Sequence, residues 1–417
     1  LVACGTAQPE EEAVPVIEKA AQPQPFDWPQ WQGPRRDGVS NETGLLQSWP
    51  KEGPRLAWKA KGLGEGFSTP SVAAGRIYTM GNRGKTEYVL AFDEENGNSL
   101  WATATGPVRS TGGGYPGPRC TPAVDGELVY ALGLNGDLVC LSALNGKVQW
   151  KHDLQKDFKG QPGGWGYCES PLIDGDKLIC TPGGKTATLV ALDKKTGKVI
   201  WTSQVPSGER AAYASAIVAD VQGQRQYIQF LSKGVVGIAA SDGKYQWRYD
   251  APANGTANCS TAVFHDNAVF AASGYGTGGG LAQLKRDGGA TEATEVYFSD
   301  HMKNHHGGMV LVDGYLYGAN DPNQLVCLEF ATGKQMWTHK AGKGSIAYAD
   351  GRLYYRDERG PILMIEATPK GFVEKGRFEQ PDRSKANAWP HPVIANGKLY
   401  IRDQDVLLCY DVRNVKE

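Results

Sequence analysis

Residues 191–201 read "ALDKKTGKVIW": a small residue, an acid two places on, a Thr-Gly turn and a closing Trp. The phrase recurs as "AFDEENGNSLW" at 91–101, "CLSALNGKVQW" at 140–150, "GIAASDGKYQW" at 237–247 and "CLEFATGKQMW" at 327–337. Every copy keeps Gly at its seventh place and Trp at its eleventh. Looser copies, "LAQLKRDGGATEATEVYF" ending at Phe298 and "LMIEATPKGFVEKGRF" ending at Phe378, put another aromatic where Trp would stand, and "LLCYDVRN" at 407–414 stops before its aromatic.

Ahead of these copies runs a second phrase of apolar residues around a tight turn: "TPSVAAGRIYTM", "TPAVDGELVYAL", "SPLIDGDKLICT", "MVLVDGYLYGAN", "IAYADGRLYYRD" and "HPVIANGKLYIR". Joined, the two phrases make strand, hairpin turn, strand, short connection, strand, Gly turn and strand, which is a four-stranded antiparallel blade. Eight units at roughly 40–50-residue intervals fill 54–417, and this predicts an all-β, eight-bladed β-propeller. The last unit lacks its outermost strand, while "PRLAWKA" at 54–60 has no unit before it. The ring is expected to close by pairing the two chain ends, which removes an open sheet edge.

Composition agrees with short strands. The chain has 417 residues, 54 of them Gly and 11 Trp, as suits tight turns and aromatic packing. Its 44 basic and 45 acidic residues leave a formal charge of -1, so no field gathers nucleic acid or an anionic surface. No apolar run is long enough for a transmembrane segment.

The first residues, "LVACGTAQPEEEAVPVIEKAAQPQP", resemble the end of a bacterial lipoprotein signal followed by an extended Pro/Glu-rich spacer. Cys4 is the expected lipidation site, residues 1–26 the tether and 27–53 an N-terminal extension packing on the propeller. The expected location is the bacterial cell envelope, periplasmic or surface-exposed and lipid-anchored.

In each repeat the small first residue gives room beneath the Trp ring. Cys140, Cys327 and Cys409 are read as small buried hydrophobes, and Cys180 likewise. Cys120, Cys168 and Cys259 precede innermost strands, and sequence leaves their disulfide state open.

The repeat resembles that of the quinoprotein (PQQ)-like β-propellers over nearly the whole chain. That superfamily includes quinone-dependent alcohol dehydrogenases, the propeller lipoprotein of the outer-membrane β-barrel assembly machinery, and an uncharacterised group of exported bacterial propellers. In the dehydrogenases the resemblance would imply PQQ stacked on a Trp, capped by a disulfide between consecutive cysteines, with calcium held by a carboxylate and an Asn. This chain has no Cys-Cys pair. Trp165 as stacking floor and Glu169 as calcium ligand are the nearest substitutes, so PQQ with calcium stands as the alternative to a protein with no cofactor and no metal.

The connections that lead from one unit's last strand to the next unit's first all fall on one face and encircle the central funnel. They carry aromatic, Arg, Asn and His residues where a solvated loop would show Ser, Lys and Glu. Arg119, Trp165, Tyr167, Glu169, Arg210, Tyr213, Asn258, Asn304, His305, His306, Trp389 and His391 are the expected contributors to a site there. Such a mixture suits a protein segment or a small polar ligand held by stacking and hydrogen bonds. The alternative function is a periplasmic quinone-dependent dehydrogenase.

Overall fold

In the computed structural model, which describes residues 22–110, 114–206 and 208–414, the repeats become eight four-stranded antiparallel sheets. Seven of them use strands consecutive in sequence, and we number these blades 1 to 7 from the one that begins at Ser71–Ala73. Blade 8 combines Val393–Ala395, Lys398–Asp403 and Val406–Asp411 with Arg55–Lys61 from the other end of the chain. The ring is therefore closed by hydrogen bonds between the termini, as the orphan strand at 54–60 implied.

The repeated phrase shows its physical purpose at the blade seams. In blade 3, Ala191 pairs directly with Trp201, and a bulge follows; Cys140 pairs with Trp150 and Cys327 with Trp337 in the same register. In three copies the Trp then reaches the next blade. The Trp101 indole donates to Ala143 O, Trp150 to Lys194 O and Trp201 to Ala240 O, while the ring lies on the turn glycine of that blade. A Cβ on Gly243 would stand 2.5 Å from Trp201 Cε3, and that residue holds φ +75°, so a bare, left-handed backbone is required there.

Two aromatic assignments change. In blade 5 Tyr297, not Phe298, pairs with Leu281 ahead of the bulge, and its hydroxyl reaches Phe330 O; Phe298 is exposed. In blade 7 the same register position is Gly376, paired with Met364. Trp49 of the N-terminal extension covers it, 5.1 Å from Phe378 and 5.8 Å from Tyr354. An outer strand without its own Trp is thus packed by one supplied from elsewhere.

Apolar clusters fill the seams. One joins Tyr78 and Val89 of blade 1 to Val129 and Leu141 of blade 2; another joins Leu399 and Leu408 of blade 8 to Met364 of blade 7. Cys140, Cys180, Cys327 and Cys409 are fully buried within these clusters. Cys120, Cys168 and Cys259 are free thiols. Among the described residues no helix is long and apolar enough to cross a membrane. Cys4 and most of the tether lie outside the described residues.

Candidate functional site

The N-terminal extension does more than pack on the ring: it enters the channel. It starts on the face that carries the inner hairpin turns, where the Asp27 carboxylate accepts from Ala74 N and Trp28 pairs with Val72 of blade 1. It then crosses to other blades. The Trp31 indole donates to Thr261 Oγ1 at the start of blade 5 and its ring stands 4.5 Å from that of His391 at the start of blade 8. Arg36 donates to Ser170 O at the start of blade 3. The chain leaves by Ser40, whose amide bonds Tyr348 O of blade 7, and by Leu45, bonded to Asp350 in a hairpin turn of the original face. Contacts with blades 1, 3, 5, 7 and 8 within so few residues require a re-entrant plug lying across the axis.

Above this plug, on the opposite face, is a cavity of about 540 Å³ with Trp31 among its lining residues. All eight connections between blades contribute to it, including two that the sequence reading passed over, with Phe67 and Thr69 before blade 1 and Lys343 before blade 7. Three hairpin loops that share this face add Tyr275, Pro322 and the run Asp357, Glu358 and Arg359. Seven aromatic side chains line the space. Trp389 is their hub, with ring centroids 4.5 Å from Phe67, 4.9 Å from Tyr115 and 5.0 Å from His306. Its indole donates to Glu358 Oε1 at 2.6 Å. The arc continues through His305 to Tyr275, and Trp165 meets Tyr213 edge-on at 5.5 Å.

The twelve residues expected at this face separate into three groups. Arg119, Trp165, Tyr213, His305, His306 and Trp389 line the cavity. Tyr167, Glu169, Asn258, Asn304 and His391 are buried behind it as supports. Tyr167 donates to Pro182 O, Asn258 holds Leu231 O, and Asn304 holds Gly308 O and Ala319 O while accepting from Ser260. His391 donates to His306 O from Nε2. Arg210 is exposed and outside the lining.

Burial governs the charge of the site. It pushes His305 and His391 down to about 4 and holds His306 well below its ordinary value, with Lys343 adding to the effect on His305, and His305 and Lys343 to that on His306. All three imidazoles are neutral near pH 7. Lys343 stands 3.1 Å from Asp321, whose carboxyl burial nonetheless raises above its ordinary value. Arg119 lies over the Phe67 ring at 5.6 Å and donates to Tyr115 O and Gly117 O, so its planar fork fixes the wall that carries Tyr115.

The calcium of the dehydrogenases does not fit at Glu169. Glu169 is behind the lining, and its two oxygens accept from Thr181 N at 2.5 Å and Gln229 Nε2 at 3.2 Å. Both oxygens are thus committed within the wall, and burial raises the carboxyl to about 7. Among the described residues no three or more His, Cys, Asp or Glu side chains converge as a metal site.

The profile of the family described as outer membrane protein assembly factor BamB matches residues 85–339 and 293–370. The chain belongs to that family. Among BamB proteins it is 28% identical over 141 residues to that of Salmonella typhimurium, a match spanning 31% of that protein's length and 33% of this chain. To BamB of Kangiella koreensis it is 26% identical over 220 residues, 49% of that protein and 51% of this one; to that of Burkholderia pseudomallei, 23% over 367 residues, 88% and 77%. The matches therefore span less than half of the first two relatives. Among solved structures, BamB of Moraxella catarrhalis superposes with a TM-score of 0.54 at 15% identity, covering 81% of this chain and 95% of that one. Quinohemoprotein alcohol dehydrogenase of Comamonas testosteroni gives 0.67 at 14% identity, covering 96% and 82%. At these identities the structural likeness establishes the fold alone.

Proposed function

We propose that this protein is an exported propeller of the cell envelope that binds at its funnel. There it holds a polar, flat-faced group, presented by a partner protein's segment or as a small molecule. The observation that carries this reading is the convergence of seven aromatic side chains, five of them from separate connections, on one 540 Å³ cavity that a dedicated N-terminal plug closes. Rings fixed against one another offer flat apolar faces, and Glu358, Lys343 and the neutral histidines add directional hydrogen bonds. Relatives named as outer membrane protein assembly factors support a protein partner and an envelope location. The quinone-dependent reading has the fold behind it but lacks a fitting ligand set. The test is capture from the native envelope: Trp389→Ala should lose the bound material, whereas Glu127→Ala, in an exposed turn of the opposite face, should keep it. Retention by Trp389→Ala with loss in Glu127→Ala sinks the proposal.

A further inference from the structure

A second polar cluster lies away from the funnel, in the seam between blades 1 and 2. Asn82 and Glu87 are direct cross-strand partners on Arg76–Arg83 and Thr86–Asp93, and Glu87 is in turn the partner of Gly106 on Ser99–Pro107. Directly paired residues project to the same face of a sheet. The place that a side chain at 106 would fill is taken by Asp137 of blade 2, whose Oδ2 stands 2.5 Å from where that Cβ would be. A Cβ at Gly133 would overlap Glu87 Oε1 and lie 3.6 Å from Asp137 Cβ. An amide and a carboxylate on adjacent strands, roughly 5 Å apart, thus form a row that faces a second carboxylate from blade 2.

The row is short of partners. Glu87 is 2% and Asn82 4% exposed, yet Glu87 Oε2 and both Asn82 amide atoms have no hydrogen-bond partner. Two facing carboxylates in a buried seam call for a cation or a shared proton. Arg119 is the cation acting on Glu87, but both of its terminal nitrogens already serve backbone carbonyls. Lys151 and Lys156 act on Asp137 against Asp153.

We propose that Asn82, Glu87 and Asp137 bind a calcium-type divalent cation that ties blade 1 to blade 2. Carboxylate and amide oxygens are the hard donors such an ion takes, with water completing its shell. Half-buried Asp137 gives it a path from solvent. The ion would also steady one funnel wall, because the connection carrying Tyr115 and Arg119 begins where the Gly106 strand ends.

Calcium alone is the probe. After chelator treatment, the wild-type chain should bind one calcium by native mass spectrometry, in preference to magnesium, and its melting temperature should rise by a few degrees. Glu87→Gln and Asp137→Asn should abolish both responses, whereas Asn82→Asp, which keeps an oxygen donor and adds charge, should bind at least as tightly. A wild-type chain that binds no calcium, with Glu87→Gln raising stability regardless of the ion, overturns the proposal in favour of a shared proton. Calcium binding that survives in Glu87→Gln overturns it by placing the ion elsewhere.

Discussion

Trp31 and His391 stand 4.5 Å apart, ring to ring, although they come from opposite ends of the chain, and the Trp31 indole is bonded three blades away to Thr261. This contact makes the channel of a repeat protein into a closed funnel. Trp31→Ala is expected to open the cavity into the channel, weaken capture of the native partner or ligand by tenfold or more, about 1.4 kcal/mol, and lower the melting temperature. Trp31→Phe should recover part of both. Unchanged capture by Trp31→Ala would show that the plug is not the floor of the site.

The seams are tested by substitution in one complete and one degenerate repeat. Trp201, 8% exposed and resting on Gly243, should cost roughly 3–5 kcal/mol on change to Ala. Gly243→Ala should cost more than about 1 kcal/mol, because it meets the ring with a left-handed backbone. Ser142→Ala, at a half-exposed position, should stay within about 0.5 kcal/mol. Urea unfolding measures all three, and equal losses would show that the repeated phrase is not the packing device.

Those seams were legible because the phrase is periodic: a Gly and a Trp at fixed spacing imply a turn and a ring resting on a bare backbone. Ring closure was legible for the same reason, as one unit lacked what the orphan strand supplied. Tyr297 was misassigned because a bulge, invisible in sequence, decides which of two adjacent aromatics faces the seam. Trp31 and Trp49 were missed because the extension has no period. Its concentration of Trp and Gly in "DWPQWQGPRRDG" was the available signal. The connections were recognised as the functional face, but alternation within them could not separate lining His306 from supporting His391, since irregular backbone has no fixed side-chain direction.

Acid should loosen the site. His305 and His391 fall from an ordinary 6.5 to about 4 on burial, so between those values the unfolded chain binds more protons than the folded one. Their contribution is complete above pH 6.5 and is lost as pH falls toward 4. Glu169 runs the other way: raised from 4.5 to about 7, it reduces stability as pH rises from 4.5 through that value. The double variant His305→Gln, His391→Gln should flatten the acid limb by roughly 5 kcal/mol between pH 7 and 4.5. Urea unfolding at pH 7, 5.5 and 4.5 checks this, and an unaltered slope would assign the acid limb to other groups.

Cys4, ahead of the Pro/Glu-rich spacer, is expected to carry the membrane anchor. In a full-length precursor, Cys4→Ser should release the protein from the membrane fraction and remove the lipid mass from its N-terminus. A variant that stays membrane-bound with the same N-terminal mass contradicts that expectation.

Native mass spectrometry of the protein isolated from its own envelope tests the funnel most directly. Wild type and Glu127→Ala should carry the same bound partner or ligand mass, and Trp389→Ala, shown to be folded by circular dichroism, should carry none. A folded Trp389→Ala that retains the mass while Glu127→Ala loses it would place binding on the opposite face and contradict the funnel as the site.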